Sequence, residues 1–233
     1  RMIDMDFEPQ VNSVMDSMSA ESLKPEEEAE KIDEQGLQAD LGTKYRMTYM
    51  FSATMPPSVE KLARKYMRNP AVVNIGGAGK TSDLIKQIVQ WTTNNQKPTQ
   101  LELVLSQYPD TQAIIFVNTK RIVDHVSNLC HKMGYSVAAI HGGKSQDQRE
   151  ESLRGFKQGE YDILVATDVA GRGIDVKGID LVVNYEMPLI IENYTHRIGR
   201  TGRAGRQGTA VSFLTSEDTD VMYELKELLT NSG

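Results

Sequence analysis

The chain has 233 residues, 39% of them hydrophobic and 25% charged, a composition that fits a globular protein with room for one large domain or parts of two. No apolar run approaches the roughly 18 residues that span a bilayer, and Arg1-Met-Ile-Asp-Met-Asp6 is no signal peptide, so an intracellular protein without membrane partners is expected. The one cysteine, Cys130, excludes an intrachain disulfide, and with His125 and His131 it offers too few ligands at the wrong spacing for zinc, so no metal site is expected.

The net charge of −6 argues against a polyanionic partner until its distribution is considered. Residues 1–84 hold 14 acidic against 10 basic side chains, and eight of the acids fall between Glu21 and Asp40. That stretch, at about 20–42, reads as a solvated insertion or flexible loop, which can also repel RNA or dock a basic partner. The rest of residues 1–76 offers one helix at each end and two strands. The strands are Arg46–Phe51, which leads into Ser52-Ala53-Thr54, and Ala71–Ile75; between them Ser58 is placed to cap a helix reaching about Arg68. These are too few elements for a closed core, so the segment reads as the C-terminal part of a domain whose earlier strands lie outside this chain. Gly76-Gly-Ala-Gly-Lys-Thr-Ser82 then reads as a linker, placed at 77–85. Its Gly79-Lys80-Thr81 imitates the end of a phosphate loop, but the signature needs a glycine five positions before Gly79 and the residue there is Asn74.

From residue 86 onward, short β-branched runs alternate with helical patterns, which predicts a parallel sheet with helices on both faces, a doubly wound α/β unit of about 150 residues. The expected strands are Gln87–Thr92, Ala113–Val117, Ser136–Ile140, Ile163–Ala166, Leu181–Asn184 and Thr209–Leu214. A helix at Arg121–Met133 stops at Gly134, a second follows the Ser145/Gln148 capping-box pattern to about Lys157, and the last begins near Ser216.

Open parallel sheets bind ligands at the C-terminal ends of their strands. There lie Asn118-Thr119-Lys120, His141-Gly142-Gly143 followed by Gln146 and Arg149, and the loop Thr167-Asp168-Val-Ala-Gly171-Arg-Gly-Ile-Asp175. Glycine, hydroxyl and helix N-terminal groups suit phosphate, and a carboxylate such as Asp175 suits a ribose hydroxyl, although turn and capping roles explain several of these residues equally well. The densest signal is Tyr194-Thr-His-Arg-Ile-Gly-Arg-Thr-Gly-Arg-Ala-Gly-Arg206, where arginines 197, 200, 203 and 206 recur every third residue and glycines 199, 202 and 205 each precede one. Guanidinium forks match phosphate, and the glycines, each costing roughly 1 kcal/mol in a helix, weigh against a plain solvated helix through this segment.

Ser52-Ala-Thr54, Ile115-Phe-Val-Asn-Thr119, Gln146-x-x-Arg149, Ala166-Thr-Asp-x-x-Gly-Arg-Gly-x-Asp175 and His196-Arg-Ile-Gly-Arg-Thr-Gly-Arg203 resemble, in order and spacing, the DEAD-box RNA helicases. The resemblance covers essentially the whole chain; an alanine common in the fifth motif is Gly171 here, which leaves the implied roles intact. It implies a RecA-like domain preceded by the C-terminal part of a first RecA-like domain. Arg200 and Arg203 would be catalytic, reaching the γ-phosphate of ATP held with Mg mainly by the upstream domain, while Asp175 would bind the ribose. His196 would couple the nucleotide site to Ser52 and Thr54. Thr119, Gly142, Arg149 and Thr167 would grip single-stranded RNA or a short duplex without reading bases, and Arg197 and Arg206 would be structural or peripheral. Arg1-Met-Ile-Asp-Met-Asp-Phe-Glu8 resembles the sequence directly after the Asp-Glu-Ala-Asp box, so the chain alone is expected to be inactive. The opening words, the acidic insertion, Met55-Pro-Pro-Ser-Val-Glu-Lys-Leu-Ala-Arg64 and His141-Gly-Gly-Lys144 are similar to a spliceosomal branch acting at the 5′ splice site. That implies spliceosomal protein partners, a nuclear location and a monomeric helicase core. A non-catalytic RNA- or protein-binding module is the alternative, and a DNA helicase of the same superfamily fits the Ser-Ala-Thr and Gly-Arg-Gly-x-Asp words less well.

Overall fold

The computed structural model describes residues 8–18, 48–52, 55, 57–67, 70–73, 83–168, 179–203 and 205–231. Contacts divide the chain into two compact units, Arg1–Gly79 and Lys80–Gly233. Among the described residues no helix is long and apolar enough to cross a membrane.

In the first unit, α1 (Glu8–Asp16) and α2 (Pro57–Tyr66) are joined by the Tyr66 hydroxyl, which lies 2.7 Å from Asn12 Oδ1 and 3.0 Å from Asp16 Oδ1. Val59 and Leu62, three apart on α2, are its buried face. Because α2 opens on Pro57, whose fixed φ suits a first helical residue, Ser58 lies inside the helix rather than capping it. Residues 48–51 and 71–73, expected in strands, form no ladder. A strand exists only through bonds to a neighbour, and neither run finds one among the described residues.

The second unit is built on six strands: β1 (Ile85–Trp91), β2 (Ala113–Val117), β3 (Val137–Ile140), β4 (Ile163–Thr167), β5 (Leu181–Asn184) and β6 (Gly208–Leu214). They run parallel in the order β1-β6-β5-β2-β4-β3. The central strands β2 and β5 are buried along their whole length, which is why their sequences are unbroken apolar runs rather than alternations. Ile85, placed in the linker by sequence, is the first residue of β1.

Side-chain alternation divides the core in two. Ala113, Ile115 and Val117 face Leu101, Val104 and Leu105 of α3 (Lys97–Gln107) and Val123, Val126 and Cys130 of α4 (Lys120–Lys132). Ile114 and Phe116 face Phe156 of α5 (Gln146–Gln158), Tyr194 and Ile198 of α6 (Ile191–Ile198), and Val221 and Leu225 of α7 (Thr219–Asn231). Each fully buried aliphatic side chain contributes about 2 kcal/mol.

The helix signals have structural counterparts. Ser145 Oγ accepts from Gln148 N at 3.3 Å while Gln148 Oε1 accepts from Ser145 N at 3.1 Å, completing the capping box of α5. Gly134, with φ of 94°, turns the chain after α4. Helix α7 starts three residues later than expected because Asp218 first closes a turn: its Oδ2 accepts from the Thr215 amide at 2.7 Å and the Thr215 hydroxyl at 2.8 Å. Neither α3 nor α6 was among the expected elements. The latter takes in only the start of the arginine repeat, where residues 191, 194 and 198 form an apolar stripe, and it ends before the first of the three glycines, in keeping with the glycine argument against a solvated helix through the repeat.

Candidate nucleic-acid and nucleotide site

The parallel arrangement brings the ends of β2, β3 and β4 to one edge of the sheet. There a cleft of about 520 Å³, within the range of ligand sites, is lined by Asn118, Lys120, Gly142, Gly143, Thr167, Asp168 and Asn193. Of the residues expected to hold RNA, Gly142 and Thr167 line it. Thr119 sits at the start of α4 as its N-cap, accepting from Ile122 N at 3.4 Å, so its hydroxyl is partly committed to the helix. Arg149 lies on the first turn of α5, and its Nε is a buried donor without a partner among the described residues. An unsatisfied buried N–H costs about 1–3 kcal/mol, which an incoming acceptor such as a phosphate oxygen can recover.

The shape of the glycine loop depends on its histidine. Gly143 N donates to His141 Nδ1 at 3.1 Å, and Nε2 faces Asp124 Oδ1 at 3.7 Å. A Cβ at Gly143 would press on the same imidazole at 3.1 Å, whereas one at Gly142 would meet open space. Both glycine positions are exposed, so their backbone is accessible from solvent.

Arg197 organises the site from within. It is 1% exposed, and all five of its N–H groups have acceptors. Nε reaches Asp168 Oδ1 at 2.5 Å; one terminal nitrogen reaches Asp168 Oδ2 at 2.8 Å and Asn118 Oδ1 at 2.7 Å; the other reaches the Glu186 carbonyl at 2.7 Å and Asn184 Oδ1 at 3.5 Å. The guanidinium also lies 5.5 Å over the Phe116 ring. Asn184 continues to Ser212 Oγ at 2.9 Å, Asn118 Nδ2 donates to the Met187 carbonyl at 2.8 Å, and Asn118 N donates to Glu186 Oε2 at 2.7 Å. Four adjacent strands, β6, β5, β2 and β4, are thereby linked through side chains. Arg197 is structural, as expected, but it is central rather than peripheral, whereas Arg206 is exposed.

Beyond α6 the chain turns sharply. Gly202 has φ of 65°, and a Cβ there would collide with Ile85 Cγ1; a Cβ at Gly208 would collide with the Thr201 hydroxyl, which itself donates to the Ile179 carbonyl at 2.5 Å. This clamped turn displays Arg200 and Arg203. Arg200 Nε donates to the His196 carbonyl at 3.1 Å and Arg203 Nε to the Gly199 carbonyl at 2.7 Å. Each bond lies at the root of its guanidinium and so orients the terminal nitrogens, the pair that grips phosphate in a bidentate contact. His196, half-buried on α6, therefore supports Arg200 through its backbone, and Ser52 is exposed in the first unit. Thr54 and Asp175 lie outside the described residues.

Cys130 is fully buried, and desolvation pushes its thiol up to about 12, so it is no nucleophile at neutral pH. Lys120, Gly143 and Asp168 stood in loops the sequence had singled out. Asn193, Asn184 and Glu186 did not, and only the long-range contacts reveal them.

The helicase conserved C-terminal domain family matches residues 96–205. The chain is 55% identical over its whole length to DEAD-box ATP-dependent RNA helicase 21 of Oryza sativa subsp. japonica, covering 31% of that protein. It is 50% identical to the probable ATP-dependent RNA helicase DDX23 of Homo sapiens, again over its whole length and covering 28% of the human protein. The chain thus spans under a third of these two relatives. Among solved structures, the RNA helicase Prp28 from Chaetomium thermophilum bound to ADP superposes with a TM-score of 0.60 at 44% identity, over 85% of this chain and 47% of that one. The yeast DEAD-box splicing factor Prp28 gives 0.62 at 36% identity, over 99% and 48%. A parallel six-stranded sheet of RecA-like design, an arginine-glycine turn beyond its sixth helix, and identity to these relatives along the entire length place this chain in the DEAD-box RNA helicase family.

Proposed function

We propose that the chain supplies the C-terminal RecA-like part of an ATP-dependent RNA helicase that remodels RNA or RNA–protein complexes during pre-mRNA splicing, working in the nucleus with spliceosomal proteins. In this reading residues 1–76 belong to the end of the first RecA-like domain, the linker runs from 77 to 84, where β1 takes over at Ile85, and the core acts as a monomer. The observation that carries it is the cleft at the strand ends, with exposed glycine backbone, Thr167 and Lys120, on the same unit as two arginines held by their Nε atoms.

The cleft has chemistry for a sugar–phosphate backbone. The Gly142-Gly143 loop lets the main chain approach phosphate without side-chain obstruction, Thr167 offers a hydroxyl and Lys120 a cation; outside the lining, on the helix after the loop, Arg149 keeps an Nε donor unpaired among the described residues. Such groups position a strand without discriminating bases. Arg200 and Arg203 supply charge to the γ-phosphate of ATP, stabilising what develops during phosphoryl transfer, and Asp175 holds the ribose. Magnesium, bound with ATP mainly by the upstream domain, neutralises phosphate charge there. The 233 residues contain no complete phosphate loop, so alone they neither hydrolyse ATP nor unwind RNA; RNA-stimulated ATPase from the purified chain would contradict this.

Arg203→Ala in the intact helicase tests the assignment. Hydrolysis should fall by at least about a thousandfold, the scale of a lost arginine finger, with initial RNA affinity changed far less. Equal losses in both would remove Arg203 from the catalytic role.

A further inference from the structure

A cleft that takes a polyanion should not present a bare carboxylate, since every phosphate that approaches already carries negative charge. Asp168 nonetheless lines the cleft, with 22% of its side chain exposed. Both its oxygens are engaged from behind: Oδ1 accepts from Arg197 Nε and Oδ2 from a terminal nitrogen of the same guanidinium. Arg197 itself is 1% exposed, so no ligand in the cleft can touch it. Its remaining donors go to Asn118, Asn184 and the Glu186 carbonyl, and Asn118 in turn spends its amide nitrogen on the Met187 carbonyl. Two of the polar side chains lining the cleft are thus tied to the protein interior.

We infer that Arg197 is a positioning residue that makes the cleft acceptable to RNA: it neutralises Asp168 from the buried side and keeps the Asn118 and Asp168 side chains turned inward, leaving Lys120, Thr167 and the glycine loop to meet the strand. The inference rests on the cleft being an RNA site. It follows from charge and geometry together. A lysine at 197 would carry the charge, but its three donors could not serve the five acceptor atoms that Arg197 reaches on Asp168, Asn118, Asn184 and Glu186. Loss of the guanidinium would uncover a negative charge beside the phosphates, a repulsion that salt screens.

The test is fluorescence anisotropy of a labelled single-stranded oligouridine with the 233-residue chain. Arg197→Gln should weaken binding on the order of tenfold at ~50 mM salt, with the deficit shrinking toward ~200 mM as the uncovered carboxylate is screened. Adding Asp168→Asn to Arg197→Gln should restore most of the affinity, because the offending charge is gone although the hub remains broken. A double variant no better than the single one means that Arg197 serves folding alone, and overturns the inference. If circular dichroism shows Arg197→Gln unfolded, Asp168→Asn alone decides: it keeps an acceptor for Arg197 and should bind RNA as tightly as the parent or more so, and weaker binding overturns the inference. Lys120→Ala and Thr167→Ala probe the cleft independently. If neither changes RNA affinity, the RNA reading of the cleft falls, and the inference with it, whatever the Arg197 variants do.

Discussion

Gly202 and Gly205 occupy the same left-handed backbone region, with φ of 65° and 79°, in the turn that carries Arg203, yet their surroundings differ. A Cβ at Gly205 would meet nothing within 4 Å, while one at Gly202 would run into Ile85 Cγ1 with the Leu84 carbonyl carbon 3.5 Å away. Alanine at either position incurs about 1–2 kcal/mol for the left-handed conformation. At 202 it also forces Ile85, 7% exposed at the start of β1, off its packing, which adds about 1–3 kcal/mol. Gly205→Ala should therefore lower unfolding free energy by about 1–2 kcal/mol and Gly202→Ala by about 2–5 kcal/mol, read as midpoint shifts in urea titrations of the 233-residue chain with the slope unchanged. The comparison is internal, since backbone strain is common to both and the difference isolates the collision. Equal losses would mean that Ile85 moves aside freely and that the turn is not clamped against β1; no loss at either site would refute the left-handed turn itself.

Ser145→Ala removes one half of the capping box and should cost α5 about 1 kcal/mol, measurable as a shift in the urea midpoint, whereas Ser145→Asp should cost little. Burial raises Cys130 from its ordinary 9.0 to about 12 and Tyr194 from 10.0 to about 12. Both are neutral when protonated and hold their protons longer folded than unfolded, so their contribution is complete below about pH 9, then declines as the unfolded chain ionises first and is lost as pH rises through about 12. Urea midpoints should fall as pH rises from 9.0 toward about 12, and a flat profile would contradict the burial of both groups. By the same burial, a thiol reagent at pH 8 should leave Cys130 unlabelled in the folded chain and label it fully in denaturant.

The legible parts of this fold are those written in local sequence. Ala113–Val117 and Leu181–Asn184 match the observed strands residue for residue because central parallel strands are apolar throughout and end abruptly at polar loops. Ser145, Gln148 and Gly134 announced helix ends for equally local reasons. Helix α3 escaped although Leu101, Val104 and Leu105 have helical spacing, since its polar face is short and Pro98 near its start reads as a breaker. In the candidate site the loops were visible but the division of labour among them was not. Arg197 looks like its three neighbours in the repeat; only its contacts with residues 118, 168, 184 and 186 distinguish it, and such pairings over long separations leave no periodic trace.

The first and last strands of the sheet lie side by side: β1 pairs with β6 along Ile85–Trp91 and Gly208–Leu214, and among the described residues β1 has no other neighbour. During synthesis β1 leaves the ribosome while more than a hundred residues separate it from its partner β6. At roughly 5–20 residues per second it waits several seconds or longer with both of its edges open. Strands β2, β3, β4 and β5 can assemble earlier, because none of them pairs with β1. The nascent domain therefore passes through an incomplete sheet whose missing edge has already been made, and that interval is when a chaperone has most to protect.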